Sequence, residues 1–314
     1  MNIIGKKYLF LTISTILVVA SFAAIAVWGL KLGIDFTGGS LLEVDFPQGA
    51  PTISEVRSGL QGMDLGTLTI QSSGDAQMIL RFKTIDEPTH QEIVRRLAVA
   101  RAPAVSAPAE KSPKTPEQLP VIERRFDTVG PTIGRELRSR SLVALAVASI
   151  AIILYIAWAF RRVSKPVSSW KYGIAAVVAL LHDVVIPAGV FAVLGHVSGL
   201  EVDALFITAM LTIMGFSVHD TIVVFDRTRE NLQKLKRAEA FEVTVNRSIN
   251  ETFARSITTS LTVLFVLGAL FVFGGVTVHS FVLALLIGVA FGTYSSIFVA
   301  SPLLVLWQGR ARSR

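Results

Sequence analysis

The chain has 314 residues, of which 52% are hydrophobic and only 17% are charged, and its mean hydropathy is +0.58. Soluble domains carry about 25% charged residues, so the composition excludes an ordinary soluble globule. The sequence contains no cysteine, which excludes a disulfide framework and thiolate metal sites. The net charge of +7 is not arranged as a basic stripe with stacking aromatic residues, so we do not expect nucleic-acid binding.

Six apolar segments are long enough to cross a bilayer as helices, which takes about 20 residues each. They are approximately Tyr8–Leu30, Ser141–Phe160, Gly173–Leu194, Val202–Phe225, Ile257–Phe273 and Ser280–Trp307. The first is longer than the apolar core of a typical signal peptide, so we interpret it as a retained membrane anchor. The chain is thus divided into a first transmembrane helix at 1–30, an extracytoplasmic domain at 31–140, and transmembrane helices two to six at 141–314.

Basic residues are distributed unevenly over the loops between these segments. Lys and Arg occur before the first segment, in 161–171, in 226–256 and after Gln308, whereas the loops near Gly195–Glu201 and Gly274–His279 contain none. Because cytoplasmic loops carry the excess of basic residues, both termini are predicted to be cytoplasmic. The region 31–140 is then extracytoplasmic, since long domains translocate largely regardless of their charge.

The extracytoplasmic region shows the pattern of a small mixed domain. We predict a strand at 38–48, a helix at 52–61 with a Thr52–Glu55 capping box, a hairpin around a Gly-Asp turn, a helix at 87–100, a Pro/Ala-rich linker at 102–120 and a last strand at 121–130. The order β-α-β-β-α-β is typical of an α+β ferredoxin-like domain. His90 stands alone in its helix and is expected to be solvated, so the expected role of the domain is docking or substrate contact.

Several ionisable residues lie inside the predicted spans. The third span contains His182 and Asp183, and the fourth contains His219 and Asp220. On the fifth span a polar face is formed by residues at helical spacing, namely Arg255, Thr258, Thr259 and Thr262. A charged residue at the centre of a transmembrane helix costs roughly 2.5–3.5 kcal/mol. Such residues normally face the interior of a bundle and mark ion or proton pathways.

Each of these residues also has a purely structural alternative. Arg255 could lie at the cytoplasmic surface and pair with Glu251, one helical turn away. Asp220 could make only an interhelical bond, the His182–Asp183 pair could bond to neighbouring backbone, and the threonines could mediate helix packing. At the end of the fourth span, the sequence favours an interfacial position for Asp226 and Arg227.

Metal-dependent and serine-dependent chemistry are not expected. Adjacent residues on a helix point about 100° apart, so neither His-Asp pair can chelate a metal from one face. The sequence contains neither HExxH nor GxSxG, the motifs of zinc proteases and of hydrolase nucleophiles. We therefore predict no metal site, no cofactor and no enzymatic activity.

Six segments, in this order along the chain, together resemble the SecF family, the smaller membrane subunits of bacterial SecD–SecF protein-export complexes in the resistance-nodulation-division (RND) superfamily. They are GIDFTGGS (33–40), FDTVGPTIGREL (126–137), LHDV (181–184), GFSVHDTIVVFDRTREN (215–231), NRSINETFARSITTS (246–260) and GTYSSIFVASPLL (292–304). The resemblance implies six helices that form half of an RND-type bundle in the bacterial inner membrane. It also implies a SecD-like partner, the SecYEG channel with its accessory subunits, and translocating preproteins as clients.

The resemblance further implies a proton pathway. The family's acid, arginine and threonine match Asp220, Arg255 and Thr259, and Asp183 is a further candidate. This chain departs from the family at Phe216, where Tyr is usual, and at His219, where Asn is usual. A histidine beside the acid could itself take up a proton near neutral pH, so His219 is also a candidate.

The implied mechanism is proton-driven export. Asp220 would alternate between an ionised state bridged to Arg255 and a protonated, free state. Each charge that crosses 100 mV releases about 2.3 kcal/mol, enough to bias a domain motion. Glycines and a proline beside the first two spans (Gly33, Gly38, Gly39, Gly130, Pro131 and Gly134) are candidate hinges. Two alternatives remain open: an RND-type half-exporter of small molecules or lipids, and a non-catalytic scaffold for a partner subunit.

Overall fold

The computed structural model of the chain describes residues 1–47, 49–73, 76–101, 121–160, 168–234 and 239–312. The described chain forms two compact units, one of Met1–Lys31 with Arg140–Arg314 and one of Leu32–Ser139. The linker predicted at 102–120 and the Gly-Asp turn at 74–75 lie outside the described residues.

The elements follow one another as helices with one four-stranded sheet between them. Their bounds are α1 Lys7–Trp28, α2 Ile34–Thr37, β1 Gly39–Asp45, α3 Ile53–Gly59, β2 Thr69–Ser73, β3 Gln77–Phe82, α4 Glu87–Arg101, β4 Ile122–Val129, α5 Pro131–Ala159, α6 Ser169–Val197, α7 Ala204–Lys234, α8 Phe241–Phe273, α9 Val276–Ser295 and α10 Ser301–Arg312. A short π-helical turn, Ser296–Ala300, joins α9 to α10. Pro302 follows this turn and lacks an N–H, which explains why the helix widens there.

Among the described residues, six helical stretches are long and apolar enough to cross a membrane, as predicted. They are Ile4–Trp28, Pro131–Ala159, Trp170–Val197, Ala204–Lys234, Phe241–Phe273 and Thr277–Gln308. Three of them, in α5, α7 and α8, extend well beyond the apolar segments that revealed them. The helix α8 begins at Phe241 and not near Ile257, because its first four turns are amphipathic and bury Phe241, Val245 and Ile249. The hydropathy of these first turns is too low for them to be recognised as part of a span.

The second unit has the predicted ferredoxin-like topology. The strand order is β2-β3-β1-β4, and all neighbouring strands are antiparallel. The helices α3 and α4 pack on the sheet over an apolar core that includes Leu42, Val44, Leu80, Ile93 and Leu97. The predicted capping box is present at the start of α3, where the Thr52 N–H donates to Glu55 Oε2 at 2.7 Å.

His90 is buried, so the expectation of a solvated side chain is wrong. It is only 4% exposed, and its ring stacks on that of Phe126 at a centroid distance of 3.8 Å. Its Nδ1 lies 3.4 Å from Glu87 and its Nε2 lies 3.2 Å from Glu123. The cause is the packing of α4 on the sheet, which turns this side chain toward β4.

Two of the glycines proposed as hinges, Gly38 and Gly134, are closely packed in this unit. Gly38 has a φ of +77°, and a Cβ there would lie 2.8 Å from the Cα of Pro131. A Cβ at Gly134 would lie 2.9 Å from the backbone nitrogen of Gly38. These glycines therefore allow two backbone segments to touch, since any side chain would separate them.

Candidate functional site

Asp220 lies on the buried face of α7, in the contact between α7, α8 and α9. The residue is only 3% exposed. The Ser260 hydroxyl of α8 donates to Asp220 Oδ2 at 3.5 Å, and the Thr293 hydroxyl of α9 donates to Ser260 Oγ at 2.5 Å. A carboxylate in the middle of an apolar helix thus lies at the end of a short chain of two hydroxyl groups. Among the described residues, no Lys or Arg side chain forms an ion pair with it.

Asp183 forms a second buried carboxylate on α6. It is fully buried, and His182 Nδ1 lies 2.8 Å from its Oδ1. Its Oδ2 accepts hydrogen bonds from Ser217 of α7 and from Ser295 of α9, the latter at 2.6 Å. The sequence left open a bond from this pair to neighbouring backbone, whereas the structure supplies side-chain partners from two other helices.

Two glycines of α9 bring its hydroxyls to the carboxylates. A Cβ at Gly288 would lie 2.1 Å from Ile213 Cδ1, and a Cβ at Gly292 would lie 3.3 Å from Ser217 Cβ. Small residues four apart allow the close approach of two transmembrane helices. The approach made here is between α9 and α7 of the same chain.

The other predicted site residues lie on the outside of the bundle. His219, Arg255 and Thr259 are all exposed, although His219 directly precedes the buried Asp220. The Thr259 hydroxyl donates to the carbonyl of Arg255 in its own helix at 2.9 Å. Within the described ranges the guanidinium of Arg255 has no hydrogen bond or ion pair. The structure of the single chain therefore does not join Asp220 to Arg255, and polar groups remain uncovered on an otherwise apolar surface.

Charged residues cluster in the C-terminal part of α7 and the N-terminal part of α8. Arg227 Nε lies 2.6 Å from Glu251 Oε2, and Asn231 Nδ2 donates to the same oxygen at 2.8 Å. Glu251 thus pairs with Arg227 across the helix contact and not with Arg255, one turn away on its own helix. A cavity of about 450 Å³ opens beside this cluster, lined by Val223, Asp226, Arg227, Glu230, Glu251, Thr252 and Arg255.

The structure adds four hydroxyl residues to the site, which the functional interpretation of the sequence left out. They are Ser217, Ser260 and Ser295, which donate directly to a buried carboxylate, and Thr293, which donates to the Ser260 hydroxyl. Serine and threonine are common in transmembrane helices, so only the contact between helices distinguishes these four. No three His, Asp or Glu side chains in the described ranges converge as metal ligands.

Comparisons with known proteins agree with this architecture. A family model described as protein export membrane protein SecD/SecF, C-terminal, matches residues 111–310, and one described as the SecD/SecF GG motif matches residues 23–48. The protein translocase subunit SecF of Thermobaculum terrenum is 44% identical, over 98% of this chain and 94% of that protein. The SecF of Anaerolinea thermophila is 39% identical over the same shares of both chains.

A solved structure extends the comparison to the fold. The crystal structure of SecDF, described as a translocon-associated membrane protein, from Thermus thermophilus has a TM-score of 0.81 and 31% identity. The match covers 99% of this chain but 39% of that longer chain. With six apolar helices among its described residues, the present chain is a multi-pass membrane protein, and by these matches it belongs to the SecF family of protein translocase subunits.

Proposed function

We propose that the chain couples proton movement across the inner membrane to the export and release of translocating proteins, with Asp220 as the proton-carrying residue. The observation that carries this proposal is the carboxylate of Asp220, buried in the middle of α7 and bonded to a hydroxyl. Ionisable groups inside a membrane are costly and are retained where they serve transport. The role is that of a transport subunit and not of an enzyme.

The proposed arrangement includes a SecD-like partner. Polar groups facing lipid are unfavourable, so the uncovered face with His219, Arg255 and Thr259 requires a covering protein. Helices of a partner would bring their own groups to this face and complete the pathway beside Asp220. Arg255 would then approach Asp220 in one state and separate from it in the other. The SecYEG channel and translocating preproteins are the expected partners of the assembled complex.

The proposed orientation places both termini in the cytoplasm and 31–140 outside, where the ferredoxin-like unit would contact translocating chains. Ser58 and Ser168 are exposed, and the sequence has no cysteine, so single cysteine variants at these two positions report their side of the membrane. An impermeant thiol reagent should label Ser58→Cys from outside and Ser168→Cys from inside. Labelling of both from one side would contradict the orientation.

The proton role is tested by Asp220→Asn, which keeps the shape and removes the titratable proton. In the reconstituted complex we expect proton-dependent export to be lost while the subunits still assemble. The matched control is Asp203→Asn on the same helix, where the side chain caps α7 by accepting from the Phe206 N–H at 2.8 Å. Asn caps helices about as well as Asp, so this variant should remain active. Normal proton-dependent export in Asp220→Asn would indicate that the chain acts only as a scaffold for its partner subunit.

Two further variants test the uncovered face. Arg255→Ala should be inactive, and the double variant Asp220→Asn with Arg255→Ala should be no worse than either, because residues that act as a unit are not additive. His219→Asn restores the residue usual in the family. Retained activity would remove His219 from the pathway, whereas lost activity would place part of the proton transfer on its imidazole.

A further inference from the structure

The buried face of α8 carries a hydroxyl at every fourth residue. Thr244, Ser248, Thr252, Ser256 and Ser260 are all buried, and residues four apart lie on the same face of a helix. Three contacts join this part of α8 to α7: Ser260 with Asp220, the exposed Glu251 with Arg227, and Ser248 with Asn231 at 3.0 Å. We call this contact, between Asp220–Asn231 of α7 and Thr244–Ser260 of α8, the α7–α8 seam.

The seam leads from Asp220 to the charged ends of both helices. Because the three contacts run in opposite directions along the two helices, Ser256 and Thr252 lie between the level of Asp220 and the level of Arg227. The cavity of about 450 Å³ reaches the seam at Thr252. Ser256 is one helical turn from Thr252 and one turn from Ser260, so it spans the interval between the cavity and Asp220.

The hydroxyls of the seam differ in how they are bonded. Thr252 and Ser248 donate to carbonyls of the preceding turn, at 3.0 and 2.8 Å, as Ser and Thr usually do in helices. Ser256 does not, and its Oγ has no partner among the described residues although the residue is only 2% exposed. Thr221 Oγ1, beside Asp220, is buried and unpartnered in the same way.

Unpartnered hydroxyls argue against a seam that serves packing alone. Buried polar atoms are almost always hydrogen-bonded, and a packing stripe would satisfy its hydroxyls with its own backbone. Water is the partner that suits a polar path leading to a cavity. The two unpartnered hydroxyls stand on the side of Asp220 where the cavity begins.

We infer that the α7–α8 seam is the route by which a proton leaves Asp220 for the cytoplasmic end of the chain, carried by hydroxyls and water. This rests on the proposed proton role of Asp220. In the transfer the Asp220 acid loses one proton and becomes a carboxylate. Ser260 and Ser256 each accept one proton and release one, and water in the cavity receives the last. No bond other than O–H bonds forms or breaks.

The route and a packing stripe make opposite predictions for two substitutions of Ser256. Ser256→Ala removes the hydroxyl and keeps the helices close, so the route predicts a proton flux about tenfold lower. Ser256→Thr keeps a hydroxyl and adds bulk, so the route predicts that flux is largely retained. If the hydroxyls served packing alone, Ser256→Ala would retain flux and Ser256→Thr would lose it. Flux is measured in liposomes that contain the complex with its partner subunit. Ser149→Ala on α5 is the matched control, because its hydroxyl bonds only its own helix, at 2.7 Å.

A second measurement decides the matter if both Ser256 variants lose flux. In inverted membrane vesicles, a small impermeant cationic thiol reagent is added from the cytoplasmic side to Ser256→Cys. The control is Ser301→Cys, at a fully buried serine of α10. The route predicts labelling of Ser256→Cys at least about tenfold faster than the control, because thiol reactivity follows exposure to water.

The outcomes separate failure of the route from failure of the proposed function. Wild-type flux in Ser256→Ala, or a Ser256→Cys variant as unreactive as the control, overturns the route. If Asp220→Asn is inactive in the same assay, the proton role of Asp220 survives that result and only the path is wrong. If Asp220→Asn conducts like the wild type, the proposed function fails, and the inference fails with it.

Discussion

The close contact between α9 and α7 at Gly288 allows a quantitative prediction. In Gly288→Ala the new Cβ would lie 2.1 Å from Ile213 Cδ1 and 2.3 Å from Ile213 Cγ1. Carbon atoms in contact prefer about 3.5–4.0 Å, so the helices would have to separate by roughly 1.5 Å, or Ile213 would have to leave its rotamer. Ile213 is fully buried, which leaves it little room. Overpacking of this kind costs about 1–3 kcal/mol.

The matched control is Gly268→Ala on α8, where an added Cβ would meet nothing within 4 Å. Both substitutions gain about the same helix propensity, near 1 kcal/mol. The difference between their effects on the free energy of unfolding therefore measures the cost of the contact with Ile213. We expect a difference of about 1–3 kcal/mol in the free energy of unfolding, or roughly 5- to 150-fold in the equilibrium constant. Activity of the complex should also fall, because α9 carries Ser295, which bonds to Asp183, and Thr293, which bonds to the Ser260 hydroxyl beside Asp220.

The assay is thermal or denaturant unfolding of the purified chain in detergent, followed by export in the reconstituted complex. Ile213→Ala should restore part of the stability of Gly288→Ala, since it removes the atoms with which the new Cβ collides. Equal stability of Gly288→Ala and Gly268→Ala would refute the view that the backbone approach at Gly288 holds α9 in place.

Two predictions concern the ferredoxin-like unit. Gly38→Ala should destabilise this unit more than Gly62→Ala. Both glycines have positive φ (+77° and +86°), but only Gly38 has backbone within 3 Å of an added Cβ. Equal melting temperatures of the two variants would contradict this prediction. Hydrogen bonds from Arg95 and Arg96 hold the pKa of Glu92 at about 2, below its usual 4.5. A depressed pKa contributes stability above pH 4.5 that is lost as the pH falls through 2, so Glu92→Gln should flatten the acid side of the stability curve measured on residues 32–139.

Much of the architecture could be predicted from local patterns. Apolar runs revealed the six spans, and the alternation at 38–48 with the Thr52–Glu55 capping box revealed the start of the ferredoxin-like unit. These signals depend on solvation and on backbone hydrogen bonds within one segment, so neighbouring residues suffice to read them. The true start of α8 at Phe241 was missed because its first turns are stabilised by burial against other helices, which hydropathy along one helix does not record.

His90 shows the same limit in the ferredoxin-like unit. Its helix was predicted correctly, but the side chain is covered by Phe126 and flanked by Glu123 of β4, far away in the sequence. The direction of a side chain relative to the sheet depends on how the helix packs, and no local pattern carries that information.

By itself, the sequence determined that this protein spans a membrane six times, carries an α+β unit between the first two spans and holds carboxylates within the bilayer. Only the tertiary structure decided what those carboxylates contact: Asp183 bonds to hydroxyls of α7 and α9, Asp220 bonds to Ser260, and Arg255 stays on the surface. The physical reason is that helix contacts are set by close approach at residues such as Gly288 and Gly292. Which hydroxyls then face a buried acid depends on the mutual rotation and register of three helices that are separate in sequence.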